Sequence, residues 1–205
     1  MNGSVVSTTA GLCDWPSPVL THYPSMSNQT SPSAKLGYAQ YVRFPDDGQR
    51  HEIINGVHTV NPAPSTYHQA VSRRIQFQLY SAIELHRLGE VIDAPVDVQL
   101  SPHDILQPDL VVVLAQNRII TPTKVKGVPD LVVEILSPSS IEHDGVLKRH
   151  VYESAGVPEY WIVDPFEHTL LQLTLSAGRY QEQTHSDAVT TTFPPHVAVD
   201  LRAVW

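Results

Sequence analysis

The sequence predicts an α/β domain built on a mixed β-sheet flanked by helices, and three features predict it. Apolar runs with few interruptions occupy 110–114, 131–136 and 159–164. A stretch from about Tyr67 to Leu88 carries apolar residues at helical spacing. Two β-prone segments flank Asn55-Gly56. Continuous β-branched runs mark strands buried on both faces, and such strands need helices to cover them.

In chain order, residues 1–36 are rich in Ser, Thr, Pro and Asn without sustained periodicity, and read as a flexible or loosely docked tail before a domain at 37–205. HEIINGVHTV reads as a hairpin with a tight type I′ turn at Asn55-Gly56. Ser65 and Thr66 are candidate N-caps for the long helix. Val71, Ile75, Leu79, Ala82 and Ile83 form its apolar face, and Gly89 is the expected stop. EVIDAPVDVQL reads as a strand broken at Pro95, and 141–155 as a short helix closed by Gly156 and Pro158. LLQLTL and RYQEQT pair across a turn at Ala177-Gly178.

At 205 residues the chain can bury one sizeable core and is short for two. No run approaches the roughly 20 apolar residues of a membrane helix, and no secretory leader is visible. The single cysteine, Cys13, excludes an internal disulfide, so a cytoplasmic setting is expected. A net charge of −8 argues against coating nucleic acid through bulk electrostatics. It leaves room for a nuclease, whose site needs carboxylates for metal and cations only where phosphates lie.

Glu134 interrupts the apolar strand LVVEIL, where an ionised carboxylate is costly unless paired, hydrogen-bonded or metal-bound. A salt bridge or an outward-facing side chain would also explain it. Asp109 directly precedes LVVVL, and alone would pass for a turn aspartate. If the two strands are neighbours, both carboxylates converge, and oxygen-rich sites of this kind suit Mg²⁺ or Mn²⁺. Asp144, Lys148 and Tyr152 share one helical face, as a catalytic ammonium or as a plain surface ion pair. Glu52 and His68 are weaker candidates, because a histidine at a helix start commonly caps or packs. Nothing resembles a Ser-His-Asp unit, a phosphate-cradling glycine loop or a zinc-type histidine spacing.

VPDLVVEILSPSS, then D-x₃-K-x₃-Y, then AGVPEYWIVDP resemble the Uma-two family of restriction-like endonucleases. PDDGQRHEIINGVHTV, STYHQ and QPDLVVV match the same pattern upstream, and the likeness runs from about residue 38 to the closing VDLRAVW. The family is placed in the PD-(D/E)XK nuclease superfamily. The resemblance therefore implies a restriction-endonuclease-like fold and metal-dependent hydrolysis of DNA phosphodiester bonds. Carried over by position, the metal acids are Asp109 and Glu134, helped by Glu52 and the carbonyl of Ile135. The superfamily lysine two residues beyond the glutamate is replaced here by Leu136, and Lys148 matches the lysine that substitutes for it. His51 stands where the family usually has an aromatic residue. Mg²⁺ as cofactor, Mn²⁺ as its substitute, DNA as substrate and a two-fold homodimer are the expectations that follow. An inactive nucleic-acid- or protein-binding module on this fold, and a hydrolase of small phosphodiesters, are the competing readings.

Overall fold

The Asn55-Gly56 hairpin forms as its turn chemistry dictates. In the computed structural model, which describes residues 34–137 and 144–205, both turn residues take positive φ, 54° and 82°. They join β1 (Arg50–Ile54) to β2 (Val57–Asn61) in antiparallel register. A single helical turn, α1 (Tyr38–Tyr41), precedes them.

Helix α2 (Thr66–Ala82) starts at Ser65, whose side chain accepts the amide of His68. Val71, Ile75, Leu79 and the adjoining Ile83 are fully buried along one stripe. The helix stops at Ala82 instead of running to Leu88, and Gly89 is not its terminator. The chain unwinds through turns in which Arg87 takes the left-handed conformation, φ 58°. Gly89 instead opens β3 (Gly89–Asp93), where a Cβ would stand 2.5 Å from the carbonyl oxygen of Val113. Close strand approach, rather than helix capping, is its role.

The remaining elements are β4 (Val98–Ser101), β5 (Asp104–Leu106), β6 (Leu110–Leu114), β7 (Val125–Lys126) and β8 (Leu131–Ile135). They are followed by α3 (Asp144–Ala155), β9 (Glu159–Asp164), β10 (Thr169–Ser176), β11 (Arg179–His185), β12 (Ala188–Thr190) and β13 (Ala198–Asp200). The main sheet is mixed, ordered β11-β10-β9-β8-β6-β3, with β8 and β9 parallel across α3. The mixed sheet does not hold every strand. β2-β1-β5-β4-β7 form a second sheet, and β12-β13 a third, small one. The reason lies at Pro95, which parts β3 from β4 so that the two halves of EVIDAPVDVQL join different sheets.

Alternation along β6 and β8 sends side chains to opposite faces. Leu110, Val112, Leu131 and Val133 pack in the cluster that contains the α2 stripe. Val132 packs with Val151 and Tyr152 of α3 and with Tyr160 of β9. Glu134 has the parity of Val132, so it belongs to the α3 face. Among the described residues no helix is long and apolar enough to cross a membrane.

Candidate active site

Strand register brings the two acids together. β6 and β8 pair antiparallel with Leu110 opposite Val133 and Val111 opposite Val132. One further step in the same register sets Asp109 opposite Glu134, on the same side of the sheet. The coincidence follows from the sequence: two apolar strands, each with an acid at the end where the runs meet.

Asp109 is 4% exposed and surrounded by donors. Its Oδ2 accepts the Ile135 amide at 2.9 Å and lies 3.1 Å from His68 Nε2. Its Oδ1 accepts Arg50 Nη1 at 2.8 Å. The same His68 Nε2 lies 3.0 Å from the carbonyl oxygen of Ile135. Both neighbours of this ring nitrogen are acceptors, so it carries the hydrogen, and the two oxygens face one common point. Burial works to raise the Asp109 pKa, but His68, Arg50 and the Ile135 amide outweigh it and hold the carboxyl below its usual range.

Glu134 Oε1 accepts Lys148 Nζ at 3.1 Å and the Tyr152 hydroxyl at 2.9 Å. Lys148 and Tyr152 are one helical turn apart on α3, whose end is tied by Gly156, at φ 85°, and by Val157, both donating to the Tyr152 carbonyl. Lys148 also donates to Glu52 Oε1 at 3.1 Å. It is 5% exposed, which removes the surface ion-pair reading; the side chain of Asp144 lies outside the described residues. Burial alone would lower its pKa, yet Glu134 and Glu52 hold it above the ordinary lysine value. Glu52, on β1, is fully buried. It further accepts the Gln107 amide on Oε1 and Asn61 Nδ2 on Oε2, both at 2.7 Å.

Burial pushes Glu134 up to about 7, against the pull of Lys148, with Asp109 and Glu52 adding their charge. The cluster thus sets three carboxylates against two fixed cations, Lys148 and Arg50. A polar cleft of about 150 Å³ reaches the Asp109 end of the cluster, lined by Asp109 and by His68, Gln69, Arg73 and Gln76 of α2.

All five residues singled out for chemistry are gathered here: Asp109, Glu134, Ile135, Lys148 and Glu52. Arg50 was not anticipated, and His68 only weakly. Strand alternation carries the missed signal, because Arg50 shares a face with Glu52. His51 turns the other way, its ring nitrogens 3.0 Å from His58 and from Asp47.

Among the described residues no three His, Cys, Asp or Glu side chains are grouped to hold a metal. The donor set is instead two carboxylates and one main-chain carbonyl; Asp109 Oδ2 and the Ile135 oxygen both face His68 Nε2, whose place a cation would take. Such hard oxygen donors, carrying an excess of negative charge, fit a hard divalent cation.

A family model described as "Uma2: Putative restriction endonuclease" matches residues 38–202. The chain belongs to this family. Its fold is shared with the crystal structure of a protein from Anabaena variabilis described as a putative nuclease belonging to DUF820. That protein is 17% identical, the match covers 82% of this chain and 97% of the other, and the TM-score is 0.68. No curated protein matches the chain. Membership of the Uma-two family and the restriction-endonuclease-like fold thus agree with what the motifs imply.

Proposed function

We propose that this Uma-two protein is an endonuclease that hydrolyses DNA phosphodiester bonds by metal-assisted attack of water. The observation that carries the reading is the meeting of Asp109 and Glu134 from adjacent strands, with Lys148 on Glu134 and the Ile135 amide on Asp109. In this reading Asp109, Glu134 and the Ile135 carbonyl hold Mg²⁺, for which Mn²⁺ substitutes. A cation bound there supplies Lewis acidity toward the attacking water and the phosphoryl oxygens.

The protein's own groups do the rest. Lys148 stays an ammonium, so it donates hydrogen bonds to a phosphoryl oxygen or to the water and does not take the proton. Glu52, fully buried and bonded to Lys148, Gln107 and Asn61, holds Lys148 in place. Tyr152 fixes the rotamer of Glu134. The water oxygen bonds to phosphorus, the bond from phosphorus to the leaving sugar oxygen breaks, and the water proton reaches that oxygen through solvent. A two-fold pairing of chains on duplex DNA belongs to the same reading.

Nicking of supercoiled plasmid in Mg²⁺ or Mn²⁺ tests it. The reading expects cleavage that chelator abolishes and that Asp109→Ala and Glu134→Ala each remove. Cleavage undiminished in both variants overturns it. A DNA mobility shift without cleavage assigns the fold to binding, and hydrolysis of a chromogenic phosphodiester with plasmid intact assigns it to small substrates.

A further inference from the structure

Arg50 is attached to the site in an unusual way for a purely structural arginine. Its Nη1 donates to Asp109 Oδ1 at 2.8 Å, but the second carboxylate oxygen is taken by the Ile135 amide and His68. A two-pronged arginine–carboxylate pair therefore cannot form. The Nε–H is buried with no acceptor among the described residues. A guanidinium has five donors in a rigid fork, and leaving one of them buried and unpaired is unfavourable. The side chain is only 19% exposed, so bulk water does not make up the difference. The fork sits in the acidic cluster of Asp109, Glu134 and Glu52, each of whose charges acts on it.

The acceptor that completes such a fork has several oxygens, carries negative charge and arrives beside Asp109. A phosphodiester is that group. We propose that Arg50 is a phosphate-binding residue of the site, held on Asp109 in the metal-free protein and competing there with the divalent cation. The proposal rests on the nuclease reading and adds a residue and an order to it. Arg50 holds Oδ1 while the cation would take Oδ2 beside the Ile135 carbonyl, so both positive charges draw on one carboxylate; loading the cation weakens the hold of Asp109 on Arg50 and frees its donors for the substrate.

The competition is read by isothermal titration of the protein with Mn²⁺ alone, and the phosphate role by plasmid cleavage. Arg50→Gln should bind Mn²⁺ several-fold to about tenfold tighter, because a positive charge leaves the site, and should cleave about a hundredfold more slowly. Arg50→Lys keeps the charge and loses the fork. It should bind Mn²⁺ like the parent and still cleave at least about tenfold more slowly. Arg50→Gln with unchanged or weaker Mn²⁺ binding overturns the competition. Either variant cleaving at the parental rate overturns the phosphate role. Both results leave the nuclease reading standing if the parent cuts and Asp109→Ala does not. A parent that binds Mn²⁺ and leaves plasmid intact overturns that reading and the phosphate role together.

Discussion

Lys148 Nζ stands 3.1 Å from Glu134 Oε1 and 3.1 Å from Glu52 Oε1, bridging two carboxylates from different sheets. One ammonium thus ties the hairpin of the second sheet to the centre of the first. Removing it leaves buried Glu52 and half-buried Glu134 without the ammonium that hydrogen-bonds both. Lys148→Met should cost about 3–5 kcal/mol of stability, measured by denaturant unfolding. Glu52→Gln added to Lys148→Met should recover part of that loss, while cleavage stays abolished. Additive losses in the double variant would mean that the pair is not coupled.

Glu134 and Asp109 are titrated in opposite directions by the fold, and stability should follow. The pKa of Glu134 is raised to about 7, so its favourable contribution is complete below its ordinary value of 4.5 and is lost as pH rises through about 7. Glu134→Gln removes that loss. The metal-free variant should be more stable than the parent by about 1–3 kcal/mol at pH 8 and nearly equal to it at pH 5. Asp109 is depressed, so its contribution is present above 3.8 and lost as pH falls below that value. Asp109→Asn should therefore destabilise at neutral pH. Thermal melts across pH 4–9 read both signs, and a Glu134→Gln protein less stable than the parent at pH 8 contradicts the assignment.

Glu159 shows what a buried acid does without chemistry. It is fully buried, and its oxygens accept Trp161 Nε1, Gln172 Nε2 and both the amide and hydroxyl of Thr192. No cation faces it among these partners. Glu159→Ala strands several donors at once and should lower stability by about 3 kcal/mol or more. Mn²⁺ affinity and cleavage by the folded fraction should stay within about threefold of the parent, a change under about 0.7 kcal/mol. Loss of metal binding on this substitution would place the functional acids wrongly.

The legible parts of the sequence are those where a buried strand carries its own signature. β6, β8 and β9 are apolar runs, and the acids at Asp109 and Glu134 stand out because charge is costly there. Lys148 and Tyr152 follow from helical spacing. The second sheet was hidden because β5 is three residues long and β7 two, with polar residues in both, so neither carries a period. Arg50 was hidden because a lone arginine at a strand entry looks solvated, and only tertiary pairing places Asp109 beside it. Gly89 misled because a glycine after an apolar helix is the usual stop signal, whereas here strand contact at Val113 demands it.

Crystals soaked in Mn²⁺ and recorded at the manganese absorption edge would locate the ion itself. The expected result is an anomalous peak about 2.2 Å from carboxylate oxygens of Asp109 and Glu134 and from the Ile135 carbonyl, with His68 Nε2 displaced from between Oδ2 and that carbonyl and Arg50 loosened from Asp109. Saturating Mn²⁺ that yields no peak there, with Arg50 and His68 still hydrogen-bonded to Asp109, would contradict it.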